Sequence, residues 1–218
     1  IGTVSRTSAY VVCLLIDKKQ IQLENTLLML TKYFYPKTLT ILAIAAFAFG
    51  CGNQAVEEAN KLVDEGNSFI IKNGEIATKT GNLFDELVGD NVTKVEDFVE
   101  YKETNKAKFD ELISLAGQLE KNSQDAAAKF DAASKLDTSA KVKEYNGLKA
   151  QELKKRAEAQ KMMQTFVKGF VAETDVEKMD AAIGDYNTKS AAIVKEANDI
   201  AAKGEKLMKD NPSDFKSN

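Results

Sequence analysis

The sequence predicts an all-α fold: an elongated, antiparallel, up-down four-helix bundle with coiled-coil-like packing. No proline occurs between Pro36 and Pro212, so nothing there carries the ~3 kcal/mol cost of proline in a helix interior. Apolar residues recur at alternating spacings of three and four, the period of one helix face. Turn and capping signals divide the chain into helices at about 54–88, 92–136, 139–172 and 175–210. Short connections favour antiparallel neighbours.

The first fifty residues resemble a targeting signal rather than part of the fold. The first methionine is Met29, so we expect residues 1–28 to be an upstream extension that is not part of the native protein. Two lysines follow, and then twelve uncharged residues at 39–50. A membrane-spanning helix needs ~20 apolar residues, so this run is too short to span and suits the apolar region of a signal peptide. We assign the signal peptide to 29–50.

The apolar run ends in Ala48-Phe49-Gly50-Cys51, which resembles the lipobox of bacterial lipoproteins. In that family the box is typically Leu-(Ala/Ser)-(Gly/Ala)-Cys. Gly50 and Cys51 match it, whereas Ala48 and Phe49 depart from it. The resemblance implies that Cys51 is lipidated and becomes the first residue of the mature chain, with 51–53 as its lipidated terminus. It also implies a cell-envelope location, on the periplasmic face of the outer membrane or the cell surface.

Two other interpretations of this segment remain open. Ala46-Phe47-Ala48 is an A-x-A site, so an ordinary signal peptidase could cut after Ala48 and release a soluble protein. Alternatively, the segment stays attached as an anchor. Exported proteins usually pair their cysteines in disulfides, yet processing would leave Cys51 without a partner, which favours lipidation.

The composition excludes several kinds of site. The chain has no histidine, which rules out Ser-His-Asp triads, Cys-His pairs and the common histidine-based zinc and di-iron sites. We therefore expect no catalysis, no cofactor and no metal.

Removing residues 1–50 leaves 25 basic and 31 acidic residues, a net charge of −6. This balance argues against nucleic acid as a partner and against a polybasic membrane-docking surface.

The first helix carries a seam with polar and small members as well as apolar ones. Asn73 and Thr80 lie on this seam, and we interpret them as register-fixing or locally bonded core residues rather than ligand-binding ones. Gly66 also lies there, and Gly204 has the same position in a similar stretch of the fourth helix. Both glycines should let two helices approach closely. Gly89-Asp90-Asn91 should end the first helix.

The second helix should begin at a capping box, Thr93-x-x-Glu96, and could bend between Glu120 and Asp125. Lys102 and Asn105 occupy seam positions. A polar pocket is one interpretation of this pair, but we favour side chains that extend to solvent.

The third and fourth helices are separated by a second capping box, Thr174-x-x-Glu177. In the third helix, Asn146-Gly147 could cause a kink. Its methionine and phenylalanine residues, Met162, Phe166 and Phe170, would be soft lining for an apolar ligand, although plain core packing is favoured. Residues 212–218 should form a short tail.

Three functions can be compared on this basis. The first is a membrane-anchored structural, scaffold or adaptor protein, with possible envelope-protein partners. The second is an exported carrier of an apolar ligand such as lipid. The third is an enzyme using acidic residues, for which the candidates are the pairs Asp64/Glu65, Asp85/Glu86 and Asp110/Glu111. Adjacent helix residues do not face each other, so no pair can share a proton, and we interpret all six as solvated surface charge.

Overall fold

The computed structural model describes residues 54–88 and 95–215, and helix accounts for 90% of them, which confirms the all-α class. The chain forms α1 (Gln54–Val88), α2 (Val95–Thr104), α3 (Lys106–Ala133), α4 (Ala140–Ala172) and α5 (Val176–Asp210). Four of these helices are long and pack closely. The extension, the signal segment and the lipidated terminus at 1–53 lie outside the described residues, as do the turn at 89–91 and the start of the predicted second helix.

Helix α1 packs on α3 through small and polar residues of its seam. A Cβ atom added to Gly66 would lie 2.8 Å from Cε2 of Phe130, so glycine is needed for this close approach. Asn73 donates a hydrogen bond to the Ser123 hydroxyl at 2.9 Å. Thr80 instead donates to the Ile76 main-chain oxygen within its own helix. Thr80 is thus a buried, locally bonded residue as expected, whereas Asn73 is half-buried and bonds across the interface.

The single helix expected at 92–136 is divided into α2 and α3 at Asn105. The Asn105 side-chain amide and its backbone N–H both donate to the Tyr101 main-chain oxygen, at 3.1 and 2.9 Å. Such a side-chain bond competes with regular helical bonding, and Asn105 takes φ −98° and ψ 13°. Helix α3 continues without interruption through Glu120 to Asp125, where the Gln124 side chain donates a hydrogen bond to Glu120.

The N-termini of α4 and α5 are both capped by side chains. Ser139 accepts a hydrogen bond from the Val142 N–H at 3.3 Å. At α5 the cap is Asp175, whose carboxylate accepts from the N–H groups of Glu177 and Lys178. The predicted capping box at Thr174 is therefore wrong by one residue. Asp is among the preferred N-cap residues, and its negative charge also interacts favourably with the helix dipole.

The long helices pack in the order in which they follow one another along the chain. Helix α1 packs on α3, α3 on α4 and α4 on α5, whereas α1 and α5 form no extensive interface with each other in the described residues. In a closed four-helix ring the first and last helices would also pack together. The central helices α3 and α4 thus each pack on two long helices, whereas α1 and α5 each pack extensively on one.

Two apolar clusters form the core. The Phe130 cluster contains Val63, Ala126, Ala127, Phe130, Ala133, Ala150 and Leu153. The Met163 cluster contains Leu83, Phe84, Leu87, Phe109, Leu112, Leu115, Ala116, Met163, Val167 and Tyr186. The segment after α5 also contributes, because Phe215 packs on the Phe130 cluster and its ring lies 5.6 Å from that of Tyr145. The expected tail is thus attached to the core at Phe215.

Candidate functional site

The candidate lipidation site, Cys51, lies outside the described residues, as does the rest of the lipobox-like sequence. The described part begins three residues later, where Gln54 starts α1. None of the helices in residues 54–88 and 95–215 combines the length and apolar character that crossing a membrane requires.

The predicted ligand-lining residues pack against one another and against the Met163 cluster. The Phe166 ring stacks on Tyr186 with the ring centroids 4.4 Å apart and an angle of 18° between the planes. The Phe170 ring lies 6.1 Å from Phe109, and Met162 is also packed against this cluster. These contacts support the interpretation that the three residues belong to the core.

Lys102 and Asn105 are both buried, so the favoured interpretation of solvent-exposed side chains was wrong. They are 5% and 8% exposed. The Lys102 ammonium donates to the main-chain oxygens of Phe170, at 3.3 Å, and of Glu173. These oxygens lie at the C-terminal end of α4, where the helix dipole favours a cation. The partners lie 68 and 71 residues away along the chain, so the local pattern around Lys102 could not reveal them.

The electrostatics of this site suit a structural cation. Burial lowers the pKa of the Lys102 ammonium below its ordinary value, and the negative charge of Glu173 opposes that shift. The Glu173 carboxylate itself accepts from the N–H groups of Thr174 and Asp175, and these bonds lower its pKa. The Lys102 ammonium also lies 5.9 Å from the centre of the Phe170 ring, within range of a cation–π interaction.

The candidate acidic pairs lie on the surface wherever the structure describes their side chains. Glu65 pairs with Lys129 at 2.5 Å, and Glu86 pairs with Lys108 at 3.4 Å. Asp110 pairs with Lys106, while Asp64 and Glu111 are exposed. The hydrogen bond from Lys129 lowers the pKa of Glu65, which keeps this carboxylate ionised. The Asp85 side chain lies outside the described part.

A buried carboxylate that the sequence analysis did not select lies on α4. The Glu152 side chain is 6% exposed and binds both the Lys149 ammonium, at 3.0 Å, and the Arg156 guanidinium, at 2.7 Å. Burial would raise the pKa of Glu152, but the two cations outweigh it and hold the pKa below its ordinary value. The i,i+3 and i,i+4 spacings could have indicated the ion pairs, but the burial depends on the neighbouring helices.

No metal centre is formed by the described residues, because no three Cys, Asp or Glu side chains there are grouped to hold an ion.

Comparison with known proteins adds no family. None of the protein families, curated proteins or solved structures compared with this chain matches it. Any function has to be argued from the chain's own residues.

Proposed function

We propose that this chain is an exported lipoprotein of a bacterial envelope. In this proposal, acyl groups on Cys51 hold the protein to a membrane, and the helices form a structural spacer or scaffold without catalysis. The observation that carries it is the position of Cys51 just before the helical body. Only Gly52 and Asn53 separate Cys51 from the first residue of α1. At most ~3.6 Å per residue, this connector would hold the helical body within about 10 Å of the lipid.

An antiparallel bundle would give the scaffold its shape. Three contacts between α1 and α3 support this arrangement: Glu65 with Lys129, Asn73 with Ser123, and Glu86 with Lys108. The residue numbers rise along α1 while they fall along α3. A helix of 35 residues is ~52 Å long at 1.5 Å per residue, so the proposed bundle would extend well away from its anchor.

The same direction is supported along the other two interfaces. Between α3 and α4, Asp131 lies 3.9 Å from Lys154, and Ile113 accepts a hydrogen bond from Gln164. Between α4 and α5, Lys155 pairs with Glu196, and Phe166 stacks on Tyr186. Each helix would thus reverse the direction of the preceding long one, as in an up-down bundle.

The surroundings of the described ionisable groups favour a structural role. The acidic pairs that would be needed for catalysis point to water or bind single lysines, and the buried ions Lys102 and Glu152 have partners within the chain. Partners of the scaffold would be other envelope proteins. The carrier of an apolar ligand is the alternative, but Phe166, one of the residues that would line its cavity, is packed against the Tyr186 ring.

Fractionation of cells that express the full chain tests this proposal. We expect the wild-type protein in the membrane fraction and a Cys51→Ser variant in the soluble fraction or retained as the unprocessed precursor. Cys13→Ser is the matched control, since Cys13 lies in the proposed upstream extension, and it should behave as wild type. Membrane association that Cys51→Ser leaves unchanged, with a processed chain of the same size, would contradict lipid anchoring through Cys51.

A further inference from the structure

We propose that a layer of polar residues midway along the helices is a binding site for internal water. This central polar layer consists of Asn73 on α1, Ser123 on α3, Gln160 on α4 and Ser190 on α5. The inference concerns the interior of the helical body and does not depend on the lipid anchor.

The central polar layer separates the two apolar clusters. On α3, the Phe130 cluster begins at Ala126 and the Met163 cluster ends at Ala116, with Ser123 between them. On α1, Ile70 packs on the first cluster and Ile76 on the second, with Asn73 between them. On α4 and α5, Gln160 lies between Leu153 and Met163, and Ser190 lies one turn beyond Tyr186.

Contacts between the helices place the four residues at one level. The Asn73 amide donates to the Ser123 hydroxyl at 2.9 Å and to the Leu119 main-chain oxygen at 3.3 Å. Gln160 lies between two further contacts of α4 with α3, Lys154 with Asp131 and Gln164 with Ile113, and Ser123 lies between the same two contacts on α3.

The same reasoning aligns Gln160 with α5. Lys155 pairs with Glu196 at 2.8 Å, and Phe166 stacks on Tyr186 at 4.4 Å. Gln160 is midway between Lys155 and Phe166 along α4, so its level on α5 falls midway between Tyr186 and Glu196, next to Ser190.

Three buried oxygen atoms at or beside this level have no hydrogen-bond partner among the described residues. They are Oδ1 of Asn73, Oε1 of Gln160 and the hydroxyl of Tyr186. Burial raises the pKa of the Tyr186 phenol, and the Ser190 hydroxyl opposes this shift without completing a well-formed hydrogen bond. Two amide oxygens can only accept, whereas the phenol can also donate.

Water is the ligand that satisfies this set. A water molecule can donate to an amide oxygen or accept from the phenol, and buried waters typically make about three hydrogen bonds to otherwise unsatisfied groups. No carboxylate belongs to the layer, so a neutral donor fits it better than a cation does.

Nuclear Overhauser measurements on ¹⁵N-labelled protein test the proposal. We expect the side-chain amide protons of Asn73 and Gln160 to show nuclear Overhauser cross-peaks to water. The sign of these cross-peaks should indicate that the water stays bound for longer than nanoseconds. The exposed amides of Asn82 and Gln151 are the matched controls and should show no such signal.

A variant removes the main source of ambiguity. Ser123→Ala takes away the exchangeable hydroxyl beside Asn73, so a cross-peak that survives in this variant comes from bound water rather than from that hydroxyl. Absence of the water cross-peak at both amides of the wild type would overturn the proposal. The wild-type measurement alone decides the matter if the variant fails to fold.

Discussion

The ammonium of Lys102 donates a hydrogen bond to the main-chain oxygen of Phe170 at 3.3 Å, so a buried cation on α2 binds the C-terminal end of α4. This contact joins the connecting helix α2 to the main body. It also explains how a charged side chain can be 5% exposed in the interior of the protein. Replacing it should show how much the attachment of α2 contributes to stability.

We expect Lys102→Met to lower the free energy of unfolding by about 1–3 kcal/mol. The substitution keeps much of the apolar stem but leaves the oxygens at the end of α4 without their charged donor, and hydrogen bonds to charged groups contribute about this much. Urea unfolding followed by circular dichroism measures the change. The control is Lys161→Met on the exposed side of α4, which should change stability by less than about 0.5 kcal/mol. Equal effects of the two substitutions would argue against the capping role.

A pH-dependent contribution is expected from Glu152. Its pKa in the folded protein is held below the ordinary value of 4.5 by Lys149 and Arg156, which outweigh the effect of burial. Between the pKa values of Glu152 in the folded and unfolded states, the unfolded chain therefore binds more protons than the folded protein. The contribution of Glu152 to stability is consequently lost as the pH falls below about 4.5.

The measurement is a comparison of the wild type with Glu152→Gln in urea unfolding between pH 7 and pH 3. The variant should be less stable at pH 7, and the difference should shrink as the pH falls through the window below 4.5. Glu158→Gln, at an exposed position on the same helix, controls for the general effect of removing a carboxylate from α4. A wild-type advantage that stays constant down to pH 3 would count against this assignment.

Gly66→Ala should destabilise the protein because the added methyl group would lie 2.8 Å from the Phe130 ring. Overpacking of this kind typically costs about 1–3 kcal/mol, against a gain of at most about 1 kcal/mol in helix propensity. Gly147→Ala is the matched control, since a Cβ there would meet nothing within 4 Å and should stabilise α4. Thermal unfolding separates the two, and an increase in Tm for both variants would contradict the close approach of α1 and α3.

Asn146→Leu is expected to raise stability. Asn146 is 0% exposed, and neither its amide nitrogen nor its amide oxygen has a hydrogen-bond partner among the described residues. Leaving such a group unsatisfied costs about 1–3 kcal/mol, which an apolar residue of similar size would recover. Chemical denaturation measures the difference, with the exposed Asn82→Leu as control. A loss of stability in Asn146→Leu would mean that the amide makes a bond in solution.

The helical class could be predicted from the sequence because it depends on local properties. The spacing of apolar residues and the absence of proline are both properties of neighbouring residues, and α1 and α4 follow the helical pattern closely. The roles of Lys102 and Asn146 could not be predicted in this way. Each lies on an apolar face like its neighbours, and its surroundings are set by helices distant in the sequence. The division at Asn105 was also missed, because the sequence does not show whether an asparagine inside a helical pattern will bond to a nearby main-chain oxygen.

The central claim is that Cys51 is acylated and becomes the first residue of the mature protein. The most direct test is the intact mass of the protein extracted from membranes, measured beside the Cys51→Ser variant. We expect a mass equal to residues 51–218 plus acyl groups, which the variant lacks. A mature chain that begins at Phe49 and carries no lipid would contradict the claim and would identify the protein as a soluble, exported helical protein.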